Sequence, residues 1–215
     1  MPSAAILAGG HATRFGGRDK SALVVGGRSI LLRQIEELSQ IADDILIVGR
    51  SHPIHEGPDG TPEAALPARL NGATLRHIPD ITSSCGPLGG LDAALAAARH
   101  QQVVVVACDM PFVTARFLAF LLSLAGEAEA IVPRTEDGYH PLCAVYTREC
   151  RPAVARRLAE GKLSMRGLLE DVRVRVVEGA TLDACGDRAR LLANVNSPAA
   201  LEAVLADPGR SRHEA

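Results

Sequence analysis

The chain has 215 residues, 47% of them hydrophobic, and a formal net charge of −2. That length suits one α/β domain of ordinary size and is too short for two catalytic domains, and folding would bury on the order of 70% of the unfolded surface. Four Phe, two Tyr and no Trp, with a nearly balanced charge, offer neither a stacking platform nor a basic footprint, which argues against a dedicated nucleic-acid binder.

Short apolar runs alternate with longer segments of helical period, the pattern of βα units around a mostly parallel sheet. Strands are predicted over 4–8, 45–48, 73–77, 103–107, 130–132, 142–146 and 172–177. Helices are predicted over 30–41, 88–99, 115–125, 151–160 and 198–206. Val103-Val104-Val105-Val106 is the clearest buried run and is expected at the middle of the sheet. Residues 52–72 carry four prolines and three glycines without a sustained period, so this stretch reads as a long surface loop. The expectation is a single domain over 1–207, followed by a polar tail, 208–215, that is disordered.

Five cysteines stand far apart, at 85, 108, 143, 150 and 185, with no C-x-x-C pair. They read as separate thiols in a reducing compartment. The start, MPSAAILAGG, has no basic n-region, and its apolar run stops at glycines. No apolar stretch approaches the ~20 residues of a membrane span. A soluble, cytoplasmic protein is expected.

The first predicted strand leads straight into Gly9-Gly10-His11-Ala12-Thr13-Arg14-Phe15-Gly16-Gly17-Arg18-Asp19-Lys20. Ligands of open α/β sheets bind at the carboxyl ends of strands, so the position suits a phosphate site. Glycines let backbone N–H groups approach anionic oxygens, and Arg14 and Lys20 could neutralise them. Neither of the commonest cradles fits: five residues separate Gly10 from Gly16, no lysine follows Gly16, and the alternating G-x-G is missing. Taken alone, the segment is either a polyphosphate cradle or a glycine-rich turn with solvated charges.

The pattern LAGG-x-x-x-R-F-G-G-x-D-K-x-x-L over Leu7–Leu23 resembles the signature of the molybdenum cofactor guanylyltransferases (the MobA family), which share the nucleotidyltransferase fold of the sugar-nucleotide enzymes. Four more segments resemble the family in the same order: Cys85-Gly86-Pro87-Leu88-Gly89-Gly90-Leu91, Ala107-Cys108-Asp109-Met110-Pro111-Phe112-Val113, Tyr139-His140-Pro141-Leu142 and Asn194-Val195-Asn196-Ser197-Pro198. Together they span nearly the whole chain. The implied fold is a three-layer α/β domain with a mostly parallel, Rossmann-like sheet of the nucleotide-diphospho-sugar transferase type. The implied reaction transfers GMP from GTP to molybdopterin cofactor and releases pyrophosphate. Such transfers depend on positioning and charge neutralisation more than on a covalent protein nucleophile.

Asp109 follows the most apolar strand, so its carboxylate should emerge at the carboxyl edge of the sheet. Mg²⁺ favours one or two carboxylates plus phosphate oxygens and water, which makes Asp109 the expected magnesium ligand. Arg14 and Lys20 would stabilise charge on the α-phosphate and the departing pyrophosphate. By resemblance, Leu7, Ala8, Gly9, Gly10 and Gly17 would offer backbone groups to the nucleotide, and Asp80 would lie in the nucleotide site. Gly86 would bring backbone close to a ligand, although a strand-to-helix turn calls for the same residues. Asn194 and Asn196 would face one side of an extended segment, and by resemblance they contact the pterin or phosphate end of the cofactor, with His140 nearby. Ser197-Pro198 reads as an N-cap with proline at N1.

Arg148–Arg175 holds eight basic residues against four acidic ones. A solvated helix face explains that excess, and attraction of an anionic pterin or an acidic partner is the sharper alternative. Two readings compete with the guanylyltransferase. One is another nucleotidyltransferase, such as the cytidylyltransferase of the same cofactor or a sugar-1-phosphate enzyme, which usually read LAAG where this chain has LAGG. The other is a GTP-binding module that delivers cofactor without catalysis.

Overall fold

In a computed structural model of the chain, the described residues are 1–8, 24–25, 28–49, 66–79 and 85–195. In chain order the elements are β1 (Ser3–Leu7), β2 (Val24–Val25), β3 (Arg28–Ser29), α1 (Ile30–Leu38), β4 (Asp44–Val48), β5 (Arg69–Leu70), β6 (Ala73–Ile78), α2 (Gly86–Ala97) and β7 (Gln102–Ala107). They continue with α3 (Ala115–Ser123), β8 (Ala130–Thr135), β9 (Gly138–Tyr139), β10 (Cys143–Thr147), α4 (Arg151–Ala159), α5 (Met165–Asp171), β11 (Val174–Val177), α6 (Gly179–Asp183) and α7 (Arg188–Leu191). The expected helix 198–206 and tail 208–215 lie outside the described residues.

The main sheet runs β11-β8-β10-β7-β1-β4-β6-β5, with β9 pairing to β8 off that path. Pairings of β1 with β4 and β7, of β4 with β6, and of β8 with β11 are parallel; β10 runs antiparallel between β7 and β8. The valine run of β7 is central, as its composition requires, because both of its faces are covered. Alternation along the strands divides the core in two. Ala4, Ile6, Ile45, Ile47, Val104 and Val106 point to α1 and α3, where Leu31, Ile35, Phe117 and Leu121 pack. Leu7, Leu46, Val48, Val103 and Val105 point to α2, α4 and α5, where Leu88, Leu91, Leu95, Val154 and Leu168 pack. This is the three-layer, mostly parallel architecture expected.

Several helix starts follow a capping residue. Ser29 Oγ accepts the Leu32 N–H at 3.4 Å, Thr114 Oγ1 the Phe117 N–H at 3.3 Å, and Ser164 Oγ the Gly167 N–H at 3.1 Å, each satisfying a donor the first turn leaves open. Two expectations need correction. The surface loop predicted over 52–72 does not extend to Gly72: Arg69–Leu70 is a strand, antiparallel to β6, and Asn71 (φ 50°) with Gly72 (φ 88°) forms the two-residue turn between them. Asn-Gly favours this turn because both central residues need positive φ. In addition, α5, α6 and α7 occupy stretches where no helix is predicted, since seven, five and four residues are too few to display a period.

All five cysteines are free thiols, and burial pushes Cys143 and Cys150 up to about 12, so neither ionises near neutrality. Among the described residues, no helix is long and apolar enough to cross a membrane.

Candidate functional site

Parallel pairing brings the ends of several strands to one edge. Leu7 of β1 is in register with Val48 of β4 and Ala107 of β7, and Val48 is in register with Ile78 of β6. Backbone bonds carry this register one residue further: Ala8 N–H donates to Val48 O (2.8 Å), Cys108 N–H to Leu7 O (3.2 Å) and Gly49 N–H to Ile78 O (3.1 Å). The chain therefore enters its glycine-rich segment from β1, one strand spacing (about 4.8 Å) from the strand that delivers Asp109.

Antiparallel β10 brings a second group there. Cys143 pairs with Val106, and Ala107 N–H donates to Leu142 O at 2.8 Å, so His140 and Pro141 precede β10 at the edge where β7 ends. The His140 N–H is held by Pro133 O (2.9 Å), and its Nε2 shares a 2.9 Å hydrogen bond with Thr135 Oγ1. Burial holds the His140 pKa below the ordinary histidine value against a smaller opposing pull from Asp137, so the ring is neutral near pH 7. Tyr146 OH donates to Pro141 O at 2.8 Å, fixing the same corner from the core.

The C-terminal segment closes on the turn after β7. Val195 N–H donates to Asp109 O at 2.7 Å, which sets exposed Asn194 beside the aspartate's backbone. Val195 is buried with Ile30 of α1 and Phe112 of the turn in a small apolar cluster. The Arg190 guanidinium lies 4.9 Å from the centre of the Phe112 ring, a cation–π contact. Gln34 of α1 donates through Nε2 to Ala107 O (2.8 Å) and Met110 O (3.0 Å) from beneath.

On the other face α2 runs back from this edge. Cys85 precedes it without a side-chain cap, Gly86 takes φ +57°, and a Cβ on Gly90 would lie 3.4 Å from Leu7 Cδ2. A left-handed start and a close approach to β1 thus supply a structural reason for the glycines of this segment. The uncapped first turn also leaves the positive end of the helix at the edge where an anion would sit.

Of the residues singled out from sequence, the structure brings Leu7, Ala8, Gly86, Asp109, His140 and Asn194 to this one edge. Gly9, Gly10, Arg14, Gly17, Lys20, Asp80 and Asn196 lie outside the described residues. The basic excess of 148–175 is largely paired: Arg151 with Asp92 (3.2 Å), Arg156 and Arg157 with Asp171 (3.2 and 2.9 Å), and Arg173 with Glu129 and Glu149 (3.7 and 3.5 Å). That is the solvated face, and it begins at Arg148 beside Gln101, at the opposite edge. Gln34 was not singled out. Its signal is a polar side chain on the apolar stripe of α1, among Ile30, Leu31, Ile35 and Leu38, all buried.

The chain matches the MobA-like NTP transferase domain over residues 4–176. It is 33% identical over 196 residues to the probable molybdenum cofactor guanylyltransferase of Pelotomaculum thermopropionicum, covering 91% of this chain and 88% of that one. It is 32% identical over 200 residues to the molybdenum cofactor guanylyltransferase of Pseudomonas putida, covering 92% and 94%. The crystal structure of molybdopterin-guanine dinucleotide biosynthesis protein A from Archaeoglobus fulgidus superimposes with a TM-score of 0.71 at 24% identity, covering 94% of this chain and 96% of that one, a likeness of fold.

Proposed function

This chain belongs to the MobA-like NTP transferase family, and from that membership we propose that it transfers GMP from GTP to molybdopterin cofactor and releases pyrophosphate. The observation that carries the reading is the shared edge of β1 and β7, where the glycine-rich segment begins and the turn of Asp109 ends. A triphosphate lying across that edge meets backbone amides on one side and a carboxylate on the other.

In this reading a phosphate oxygen of the cofactor attacks the α-phosphorus of GTP. The bond from that phosphorus to the bridging oxygen breaks, and pyrophosphate leaves with the electron pair. Lys20 and Arg14 balance the charge that gathers on the α-phosphate and on the leaving group. Backbone groups of Leu7, Ala8, Gly9, Gly10 and Gly17 hold the nucleotide, with Asp80 and the start of α2 at Gly86 beside it. Asn194 and Asn196 orient the cofactor, and neutral His140 lines the same end as a hydrogen-bonding group.

A divalent metal belongs to this chemistry, and we take it to be Mg²⁺. The donor type fits: Asp109, just beyond β7, carries a carboxylate, the hard oxygen donor that such an ion takes alongside phosphate and water. Bound there, Mg²⁺ would supply charge neutralisation of the phosphate oxygens. The scattered thiols support placing the reaction in a reducing compartment, the cytoplasm.

The test is pyrophosphate release with authentic cofactor and each of the four nucleoside triphosphates. GTP should be used in clear preference. Preferred use of CTP would overturn the guanylyl assignment, and release with none of them would favour a cofactor-delivery module.

A further inference from the structure

The turn that carries Asp109 is fastened by side chains and backbone from outside itself. Met110 N–H closes it by donating to Ala107 O at 3.3 Å. Val195 N–H grips Asp109 O from one side, and Gln34 Nε2 grips Ala107 O and Met110 O from the other. One amide thus reads both ends of a four-residue turn, with Asp109 as its third residue.

Gln34 is only 3% exposed, and its Oε1 is buried without a hydrogen-bond partner. The orientation of its amide follows from the partners, because the reverse would aim a carbonyl oxygen at two others. A leucine would complete the apolar stripe of α1 and remove the unpaired Oε1, but it would take the donor from Met110 O. Glutamine is the costlier choice for packing, and what it adds is the pair of donors. A turn further along the same helix, Glu37 Oε2 accepts the Ala115 N–H at 2.7 Å, so α1 holds the whole connection from Ala107 to α3.

The other end of α1 leads back to the nucleotide side. Ile30, its first residue, packs with Phe112 and Val195, and β3 before it pairs with β2, four residues after Lys20. One helix thus braces the turn of the proposed metal ligand along its length. We infer that Gln34 is a positioning residue for the transfer reaction: its two hydrogen bonds to Ala107 and Met110 set the Asp109 turn at the end of β7, beside the end of β1. The inference rests on the role proposed for Asp109.

Gln34→Met keeps length and helix propensity while removing both donors. It should lower kcat by about 10–100-fold, the usual consequence of a small misplacement of a catalytic group, with KM for GTP within about twofold of wild type. Amide hydrogen exchange at Met110 should quicken while Val104–Val106 keep their protection. Ser39→Ala is the control for mere loosening of α1, since Ser39 Oγ donates to Glu36 O (2.8 Å) and accepts from Asn71 (2.9 Å) far from the turn. It should lower the unfolding midpoint and leave kcat unchanged. An unaltered kcat in Gln34→Met, or an equal loss in Ser39→Ala, overturns the inference. Should Gln34→Met not fold, Gln34→Glu preserves the shape, keeps a single O–H donor while protonated and loses it on ionisation. Its kcat relative to wild type should fall as pH rises through neutrality, and a profile parallel to wild type would count against the inference. Absence of pyrophosphate release from the wild type would instead refute the functional reading, while the exchange measurement on Met110 would still report on the brace.

Discussion

At the amino edge of the sheet, Asp44 accepts hydrogen bonds from Ser3 Oγ (2.7 Å), the Arg99 N–H (3.1 Å) and a bidentate Arg76 (2.8 and 2.9 Å), and it is fully buried. At the carboxyl edge, the contacts around Asp109 made by Gln34 and Val195 go to backbone carbonyls of its turn. The first arrangement consumes a charge to tie β1, β4 and β6 to the end of α2. The second fixes the frame that carries an aspartate. Asp44 holds the fold at the amino edge, whereas Asp109, beyond the carboxyl end of β7, is the proposed metal ligand, and substitution should separate them.

The largest effect is expected at the carboxyl edge. Asp109→Ala should lower kcat for pyrophosphate release by about 10³-fold, equivalent to about 4 kcal/mol of transition-state stabilisation, with a smaller cost in urea unfolding than Asp44→Ala. Binding of GTP measured by calorimetry should largely survive. A comparable loss of stability would erase the distinction between the edges.

The reverse pattern is expected at Asp44. Asp44→Ala strips the partner from a hydrogen-bonded arginine and should cost about 3 kcal/mol in urea unfolding, with kcat per folded molecule unchanged. Burial raises the Asp44 pKa, but the hydrogen bonds from Ser3, Arg99 and Arg76 and the charge of Arg76 outweigh it, so the net shift is downward. A carboxylate lowered in the folded state contributes its full stability above its unfolded pKa, about 4, and loses it as pH falls through the folded value. Acid titration of stability should therefore show a loss below about pH 4 that Asp44→Asn reduces. An acid limb identical in the two proteins would remove Asp44 as its source.

Much of the carboxyl edge was legible in the sequence for a physical reason. The unbroken valine run of β7 can only be a strand covered on both faces, so the position of Asp109 at its tip followed from periodicity alone. The motif segments then supplied Leu7, Ala8 and His140, which the register of β1, β7 and β10 gathers at one edge, and Gly86 and Asn194, which α2 and the Val195–Asp109 hydrogen bond bring beside it. The amino-edge network was not legible, because Ser3, Asp44, Arg76 and Arg99 are separated by up to 96 residues and share no local pattern. Gln34 escaped for a related reason: a glutamine in a helix is ordinary until its partners, 73 and 76 residues away, are known. Asn71-Gly72 did carry a local signal for its turn, hidden within a proline-rich stretch.

The most direct measurement is a structure determined with GTP, a non-reacting acceptor analogue and Mg²⁺. The account requires the triphosphate at the carboxyl edge, with the metal on the Asp109 carboxylate at about 2.1 Å and Lys20 on the phosphates. A nucleotide seated at the amino edge beside Gln101 and Arg148, or one bound with Asp109 out of reach of the metal, would contradict it.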